Sequence, residues 1–441
     1  MSEITLGFVL IGALVALVLL GMHIAVALFS VAIAGVWLLR DNFELSMRLL
    51  SLSAYNGIAD YLFATIPLFV LMGLIVSISN IGRDTFDVAE YLLRRLRGGL
   101  GVATVAANTV FAAVTGVSIA SAAVFTKVAV PEMTRYGYRP AFAAGTVAGS
   151  SVLGMLIPPS LLLIIYGVLA EQSIGSLFIA GVIPGILLAL GFAGIIMLLT
   201  IVAPRFVYVD GRPKPPVAGE ATRDMTLGEM IAKLVPIVVL VALVLGGLYT
   251  GFFTPTEAGG VGAFGALIIA LFRRSLNLSK IWQVLKDTGM VSVTILILLI
   301  AASFYSRMLS VAGIPNAIGD LVAGSGLGPY GFLALYVIIV LLMGMFLDSS
   351  SILLIMVPIA TPIAQSLGFD LIQFGIVTVL AVEIGLLTPP FGISVFTVHS
   401  TLGNRSIGVE QIFAGTMPFI GIMMLVLILT ALFPFLSTAL V

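Results

Sequence analysis

The chain contains no cysteine, and only two of its 441 residues are histidines. Without cysteine it can form no disulfide, no thiolate nucleophile and no cysteine-bound metal centre. The two histidines, His23 and His399, lie far apart in sequence, which argues against a zinc enzyme. The sequence also lacks a Gly-x-x-x-x-Gly-Lys-Ser/Thr run and a His-Glu-x-x-His motif. ATP hydrolysis by a P-loop and zinc proteolysis by that motif are therefore excluded.

Charge is scarce as well. Charged residues make up 9% of the chain and hydrophobic residues 60%, and the mean hydropathy is +1.23. The formal net charge of zero excludes a nucleic-acid function driven by basic charge. Apolar runs of this density predict an all-α polytopic membrane protein. The apolar start, residues 4–20, runs on into a second segment at 23–39 without a cleavage-type region, so we interpret it as membrane helix and not as a signal peptide.

Helix-breaking residues recur at a fixed offset of 231 positions (389 − 158 = 231). The offset relates Pro158-Pro159 to Pro389-Pro390 and also Gly82 to Gly313, Pro131 to Pro362, Gly137 to Gly368 and Gly154 to Gly385. Such a period predicts two structural repeats. Because a Pro-Pro pair inside an apolar run breaks a membrane helix, each repeat is expected to hold one broken helix. Matched broken helices are typical of secondary transporters, whose binding site lies where the breaks meet.

The apolar runs predict about ten transmembrane helices and two further stretches with polar centres, which we interpret as re-entrant hairpins. The predicted spans are 4–20, 23–39, 61–80, 140–169, 177–203, 231–250, 256–272, 288–309, 371–398 and 412–438. The predicted domains are a first inverted repeat at 1–203 (hairpin about 98–131, broken helix 140–169), a cytoplasmic linker at 204–230, and a second inverted repeat at 231–441 (hairpin about 329–365, broken helix 371–398).

The distribution of lysine and arginine predicts the orientation. Lys127 and Arg307 fall within apolar segments, and 16 of the remaining 18 basic residues lie in five segments that we assign to the cytoplasm: 83–99, 132–139, 204–233, 273–287 and 399–411. This assignment puts both termini in the periplasm and gives each half five crossings, so the two repeats are inverted. Two segments that mix apolar and charged residues, 41–60 and 273–287, are predicted to be amphipathic arms.

The Pro-Pro breaks are the first candidates for chemistry, because prolines donate no backbone hydrogen bond and leave upstream carbonyls without partners. A buried carbonyl needs a partner, and a dehydrated Na⁺ supplies one. We therefore predict cation binding at the run from Gly154 to Ser160 and at the run from Gly385 to Pro390, which adds the hydroxyl of Thr388. The structural alternative is a kink relieved by water or by a neighbouring serine. Two related breaks, each facing a hairpin tip, favour the cation site.

Two carboxylates lie near the second hairpin and break. Asp348 precedes three serines, so it can cap the returning half-helix, and a carboxylate at membrane depth also marks a cation or proton pathway. Both roles can hold together, and we favour cation binding, either directly or next to the residues that hold the cation. The first hairpin has hydroxyls from Thr115 to Ser121 but no carboxylate there, so the two sites are expected to differ in charge. Glu383 can orient the break, pair with a cation or cap a helix, and the sequence leaves these roles open.

Three residues are candidate substrate contacts. Arg307, late in an apolar helix, either snorkels to the outer interface or holds a substrate carboxylate with its planar fork, and we favour the substrate. Ser118 and Ser349 hold equivalent places at the two hairpin tips (118 + 231 = 349) and complete the set. In contrast, Thr254-Pro255-Thr256-Glu257 has the spacing of a capping box, so Glu257 is predicted to be structural.

Several motifs together resemble the large permease subunit, DctM-type, of tripartite ATP-independent periplasmic (TRAP) transporters, in the ion transporter superfamily. The motifs are Pro131-Glu132-Met133, Gly137-Tyr138, the Gly154 to Ser160 break, Tyr166-Gly167, Ser173 to Phe178, Ala180 to Gly185, Thr254 to Ala258, Gly344 to Asp348 and Thr388-Pro389-Pro390. The similarity covers nearly the whole chain. It implies Na⁺ sites built from hairpin tips and breaks: Thr115, Ser118, Gly154, Leu156 and Pro159 in one site, and Asp348, Ser350, Gly385, Leu387 and Pro390 in the other.

The resemblance also implies a Na⁺-driven importer of organic acids (C4-dicarboxylates, keto acids or sialic acids) in the bacterial inner membrane, with no cofactor. Its expected partners are a small four-helix membrane subunit, encoded separately, and a soluble periplasmic binding protein. An elevator movement is expected, in which hairpins and broken helices travel while the other spans and the arms stay fixed as scaffold. A stand-alone dicarboxylate symporter or antiporter is the alternative. An intramembrane enzyme is a third reading, for which the sequence shows no Ser/His pair, metal cluster or Asp pair near the breaks.

Overall fold

The computed structural model describes residues 2–214, 225–324, 326–403 and 407–441, apart from the side chain of Ala323. These residues are almost entirely helical, and the one β-contact among them is an isolated bridge between Tyr138 and Tyr208. Of the predicted linker, residues 215–224 lie outside the described part. The remainder contains a single short helix and the start of the second half.

The first half holds twelve helices and a 3₁₀ turn at Tyr61–Ala64. The helices are α1 (Glu3–Leu19), α2 (Ile24–Arg40), α3 (Phe43–Ala59), α4 (Thr65–Ile78), α5 (Ile81–Leu93), α6 (Gly99–Thr115), α7 (Ser118–Arg135), α8 (Pro140–Ser151), α9 (Leu153–Leu156), α10 (Leu161–Leu169), α11 (Ile174–Val202) and α12 (Pro204–Val207).

The second half begins with α13 (Leu227–Val241), which a π-helical segment (Ala242–Gly246) joins to α14 (Gly247–Tyr249). The other helices are α15 (Pro255–Phe272), α16 (Leu278–Val311), α17 (Ile314–Gly324), α18 (Gly328–Gly344), α19 (Ser349–Ser366), α20 (Leu371–Gly385), α21 (Ile393–Leu402), α22 (Val409–Leu432) and α23 (Phe435–Thr438).

Seven helices in the described ranges are long and apolar enough to cross a membrane, or eight if the pair Pro140–Leu156 and Leu161–Leu169, bent by 42°, is one span. The seven are Tyr61–Ile78, Ile174–Val202, Leu227–Tyr249, Pro255–Phe272, Leu278–Val311, Ser349–Ser366 and Val409–Leu432. The sequence predicted about ten crossings. The difference arises because α1 and α2 are apolar helices of only 17 residues each, at the lower end of what spans a bilayer, and because α20 and α21 are separated by a long break.

Both Pro-Pro pairs lie between helices. The first falls between α9 and α10 and the second between α20 and α21, and both peptide bonds are cis. Each predicted hairpin is a pair of helices joined by a short non-helical tip, α6 and α7 at residues 116–117 and α18 and α19 at residues 345–348. The non-helical backbone therefore occurs where the sequence predicted the tips and breaks.

Several helix starts recur at the offset of 231. Helices α2, α7 and α8 begin at Ile24, Ser118 and Pro140, and adding 231 gives 255, 349 and 371, the first residues of α15, α19 and α20. The chain thus places the same kinds of helix in the same order in its two halves. Their inverted relation, and the domain limits that follow from it, stay a prediction.

The two predicted arms differ. The first arm is α3, which ends where Asp60 begins the 3₁₀ turn and accepts a hydrogen bond from the amide of Leu62 (2.8 Å). The second arm is not a separate helix, because α16 runs unbroken for 34 residues through the predicted segment and the span after it. Position 291, equivalent to Asp60 (60 + 231 = 291), is a valine, which has no side-chain acceptor to start a new helix.

The predicted capping box is confirmed. Thr254 accepts a hydrogen bond from the amide of Glu257 (3.3 Å), and Glu257 accepts one from the amide of Thr254 (2.9 Å) at the start of α15. Pro255 occupies the first helical turn, where a backbone N–H has no acceptor within the helix. The N–H that proline lacks therefore costs no hydrogen bond there. Glu257 is therefore a structural residue, as the sequence indicated.

The orientation leads to a labelling prediction. Single cysteines at Arg212 and at Asp320, both exposed, are expected to react with a membrane-impermeant thiol reagent from opposite sides, the cytoplasm and the periplasm respectively. The native chain has no cysteine, so it serves as an unlabelled control. Labelling of both positions from one side contradicts the inverted topology.

Candidate functional site

The first break is stabilised by a serine. After α9 the backbone becomes extended at Ile157, passes through the two prolines, and enters α10 at Ser160. The hydroxyl of Ser160 donates to the carbonyl of Met155 and accepts from the amide of Leu163 (3.3 Å). One carbonyl released by the break, that of Met155, is thus satisfied within the protein, as the structural alternative proposed.

The first hairpin tip packs directly on this break. Gly116, in the left-handed region with φ of +62°, ends α6, and its carbonyl accepts from the amide of Leu161 (3.2 Å). A methyl group on Gly116 would lie 2.5 Å from the carbonyl oxygen of Pro159, and one on Gly154 would lie 3.3 Å from the carbonyl carbon of Val117. The backbone approach at Gly116 therefore requires glycine, and the contact at Gly154 is tight.

Unpartnered hydroxyls lie beside the same tip. The side chains of Ser118 and Ser121 are fully buried, and neither hydroxyl has a hydrogen-bond partner in the described part of the chain. Thr115 donates to the carbonyl of Phe111 (3.1 Å) and keeps its lone pairs. A cavity of about 10 Å³, lined by the tip, Pro159 and residues of α4, has room for a single water-sized particle.

At the second break a hydroxyl again bonds to an upstream carbonyl and glycines again allow a close contact, but this break is partly exposed. Thr388 donates to the carbonyl of Ile384 (2.7 Å), and α21 starts after Gly392, which is left-handed with φ of +40°. A methyl group on Gly344, the last residue of α18, would lie 2.6 Å from the Cα of Gly385. Leu387 is buried, whereas Pro390 is exposed.

The structure gives Asp348 the role of a helix cap. It precedes α19, accepts a hydrogen bond from the amide of Ser351 (3.2 Å) and another from its hydroxyl. Asp348 is exposed, and with Ser350 it lines a cavity of about 400 Å³. The opposite wall of that cavity comes from the α1–α2 turn and from the stretch of α16 that contains Thr294.

Glu383 lies deeper than Asp348. It is only 2% exposed, and one oxygen, Oε1, accepts a hydrogen bond of 3.5 Å from the hydroxyl of Ser349. Its other oxygen, Oε2, is buried without a partner among the described residues. The serine that we predicted as a substrate contact therefore faces this carboxylate.

Most predicted residues come together in two clusters, and Arg307 belongs to neither. The first cluster contains Thr115, Ser118, Gly154, Leu156 and Pro159, and the second surrounds Gly385. Arg307 precedes Met308, which packs on Gly35 of α2. Nine residues of α16, about 14 Å along a helix axis, separate Arg307 from Leu298, the nearest residue of α16 that lines the cavity of Asp348. Arg307 is half-buried, and it has no hydrogen bond or ion pair in the described part of the chain.

Two polar residues of the first hairpin were not predicted. Asn108 is fully buried on α6, donates to the hydroxyl of Ser150 on α8 (2.6 Å) and keeps an unpartnered Oδ1. Ser121 lies one turn after Ser118 on α7. Polar residues at helical spacing in an otherwise apolar hairpin were the signal that could have identified both.

A separate charged region surrounds α5. Lys233 pairs with Asp84 (3.6 Å) and with Asp87, and Arg273 also pairs with Asp84. These contacts join α5 to α13 and to the end of α15. A cavity of about 480 Å³ lies alongside, between α5 and α7, where burial and then the carboxylate of Glu132 raise the pKa of Glu90. This region lies apart from the breaks and connects helices of the two halves.

A comparison with protein-family models shows the family of the chain. The family model described as "Tripartite ATP-independent periplasmic transporter, DctM component" matches residues 11–436. The chain belongs to this family. The resemblance stated from the motifs is confirmed, as is the prediction of an all-helical membrane transporter.

Curated relatives of the DctM family span nearly the whole chain. The C4-dicarboxylate TRAP transporter large permease protein DctM of Pseudomonas aeruginosa is 35% identical over 90% of this chain and 90% of its own. The protein of the same name from Rhodobacter capsulatus is 31% identical over 98% of each chain. The sialic acid TRAP transporter large permease protein SiaM of Vibrio cholerae is 29% identical over 94% of this chain and 93% of its own.

Solved structures support the fold of this DctM family member. Neisseria gonorrhoeae MtrF superposes with a TM-score of 0.60 at 14% identity, over 98% of this chain and 94% of that chain. MtrF is described with a class of antimetabolite efflux pumps. The YdaH transporter of Alcanivorax borkumensis gives a TM-score of 0.59 at 14% identity over 90% of both chains. At such low identity the likeness concerns the fold alone.

Proposed function

We propose that this chain is the large membrane subunit of a Na⁺-coupled, binding-protein-dependent importer of an organic acid. The observation that carries the proposal is the pairing of each hairpin tip with a helix break through close glycine contacts, Gly116 with Pro159 and Gly344 with Gly385. Half-helix ends and unwound carbonyls that converge in this way are the arrangement that coordinates Na⁺ in secondary transporters. The unpartnered hydroxyls of Ser118 and Ser121 beside the first tip are oxygen ligands of the kind that Na⁺ binds in this proposal.

The substrate class follows from the relatives. Their names give C4-dicarboxylates, sialic acid and ectoine as the compounds transported. Each carries a carboxylate, and in our proposal the hydroxyl of Ser118 contacts the substrate at the first tip, whereas that of Ser349 donates to Glu383. The role of Arg307 as a contact for the substrate carboxylate stays a prediction.

The proposed movement is of the elevator type, with a moving part larger than the hairpins and broken helices. A methyl group on Gly181 of α11 would lie 2.5 Å from the carbonyl oxygen of Leu156, and Gly415 of α22 packs on the backbone of α8 near Gly145. Helices in backbone contact cannot slide past one another without losing packing. We therefore place α11 and α22 with the transport domain, whereas the sequence analysis left them in the scaffold.

The partners and location extend the proposal. We propose a bacterial inner-membrane location with periplasmic termini, a separate small membrane subunit and a periplasmic binding protein. One relative, the isethionate TRAP transporter permease protein DctMQ of Oleidesulfovibrio alaskensis, matches over 86% of this chain but over only 58% of its own length. The remaining length of that relative is consistent with a fused small subunit.

The function is tested by uptake into proteoliposomes. The chain is reconstituted with the small subunit encoded beside it, and radiolabelled dicarboxylate or sialic acid is supplied with or without the neighbouring binding protein. Uptake is expected only with the binding protein and with an inward Na⁺ gradient. Equal uptake without the binding protein indicates the stand-alone symporter, and equal uptake with K⁺ in place of Na⁺ removes the cation proposal.

A substitution at the first tip tests the first cation site. Ser118→Ala removes a buried hydroxyl that has no partner among the described residues, so the free energy of unfolding is expected to change little or not at all. If the hydroxyl is a Na⁺ ligand, the Na⁺ concentration for half-maximal uptake is expected to rise about tenfold or more, the effect of ~1.4 kcal/mol of lost binding energy. Ser79→Ala, which removes a buried hydroxyl bonded to Val76 on α4, is the matched control with a wild-type Na⁺ response.

A further inference from the structure

The buried carboxylate of Glu383 is not used by the sites described so far. It lies at the end of α20, two residues before Gly385, and it is 2% exposed. Its single hydrogen bond from a described residue, that from Ser349, is long at 3.5 Å. Its Oε2 atom is buried and unpartnered in the described part of the chain. A charge in this position, deep in an apolar protein, requires a compensating partner.

The surrounding helices supply no positive charge. The helices that pack most extensively on α20 are α9, α10, α11, α18, α19, α22 and α23, and none contains a lysine, arginine or histidine. Their titratable residues are Tyr166, Tyr330, Tyr336, Asp348 at the start of α19 and Glu410 in the first turn of α22. His399 lies in the last turn of α21, at the far end of that helix from the break.

The nearest tyrosines are already engaged. Tyr336 shares a hydrogen bond with Thr378 (3.1 Å), and Tyr166 donates to the carbonyl of Leu371 (2.6 Å). Asp348 is held by Ser351 and is exposed. None of these groups donates a hydrogen bond to Glu383, so its Oε2 is open to a ligand that the described residues do not provide.

We propose that Glu383 is the anionic ligand of the second cation site and offsets the charge of the bound Na⁺ there. The inference rests on the proposed Na⁺ coupling and deepens it. Glu383 Oε2 supplies the charged oxygen, and the hydroxyl of Ser349 orients the carboxylate through its hydrogen bond to Oε1. Asp348, which the sequence favoured for this role, caps α19 and faces the separate cavity beside α1 and α2.

The assignment distinguishes the two sites by their charge. The first site is built from hydroxyls and carbonyls at Thr115, Ser118 and Gly154, and the second contains a carboxylate. A full negative charge in a low-dielectric setting strengthens cation binding. The second site is therefore expected to bind Na⁺ more tightly than the first.

The test compares Glu383→Gln with Glu410→Gln in the reconstituted complex. Glutamine keeps the shape of the side chain and removes its charge, and Glu410 is an exposed carboxylate on a helix that packs on the same α20. Glu383→Gln is expected to raise the Na⁺ concentration for half-maximal uptake at least about tenfold. Glu410→Gln is expected to need the same Na⁺ concentration as the wild type. Glu383→Asp is expected to need a concentration between those of the wild type and Glu383→Gln.

A second readout does not depend on transport. Na⁺ that binds the folded state stabilises it, so the purified wild-type complex is expected to melt at a higher temperature in NaCl than in choline chloride. Glu383→Gln is expected to lose a large part of that Na⁺-specific shift while it elutes as a folded complex. If Glu383→Gln keeps both the Na⁺-specific shift in melting temperature and the wild-type Na⁺ dependence of uptake, the inference about Glu383 is wrong while the proposed function stands. A wild-type complex without any Na⁺ response overturns the proposed function instead.

Discussion

Gly415→Ala is expected to lower the free energy of unfolding by ~1–3 kcal/mol or more, because overpacking at a site that cannot relax has that cost. A methyl group at this position would clash with the carbonyl oxygen of Ala141 and would lie 2.9 Å from the carbonyl carbon of the same residue. Gly145 of α8 makes the reciprocal contact, since a methyl group there would lie 2.7 Å from the Cα of Gly415. Both neighbours are backbone, which cannot turn aside as a side chain can.

The matched control for this prediction is Gly421→Ala on the same helix. A methyl group at Gly421 meets nothing within 4 Å, and alanine favours a helix over glycine by up to about 1 kcal/mol. Thermal unfolding in detergent is therefore expected to place Gly421→Ala at or above the wild type and Gly415→Ala well below it. Equal melting temperatures for the two variants contradict the close crossing of α8 and α22.

Gly344→Ala is expected to impair transport severely while the protein still folds. The added methyl group would lie 2.6 Å from the Cα of Gly385, so the second hairpin tip has to move away from the break. A functional site must be held within about 0.5 Å of its working geometry. The Na⁺ concentration for half-maximal uptake is expected to rise on the order of tenfold or more, as for the loss of a ligand.

Gly289→Ala is the control for the second prediction. Gly289 lies on α16 with nothing within 4 Å of an added methyl group, so both folding and uptake are expected to be unaffected. If Gly344→Ala transports with wild-type Na⁺ dependence, the contact between the second tip and its break is not part of a cation site.

The breaks and tips were predictable from sequence because proline and glycine act through the backbone. Pro158-Pro159 and Pro389-Pro390 remove hydrogen-bond donors wherever they fall, and each pair lies between two separate helices. Likewise, Thr254 and Glu257 form their capping box from local spacing alone. Features that depend on a residue and its immediate neighbours along the chain can be read without knowing the fold.

Features that depend on burial could not be predicted in this way. Asp348 and Glu383 are both carboxylates in apolar surroundings, and the sequence favoured Asp348 because it lies at the hairpin tip. The fold exposes Asp348 and buries Glu383 against Ser349. The position of Arg307 along α16 likewise depends on how that helix packs on α2.

The second arm shows how a single residue changes an element. The equivalence of the two halves predicted matching arms, yet Asp60 ends α3 and Val291 lets α16 continue. A pattern of apolar and charged residues identifies an amphipathic segment, but it does not tell whether the helix stops at the membrane surface.

We propose that Na⁺ enters with the substrate and binds at two sites, each formed by one hairpin tip and one helix break. The most direct measurement follows radioactive Na⁺ and substrate together in the same proteoliposomes with the small subunit and binding protein present. The account predicts that Na⁺ enters only when substrate and binding protein are both supplied, with about two Na⁺ ions per substrate molecule if each site carries one. Substrate accumulation without accompanying Na⁺ entry would contradict it.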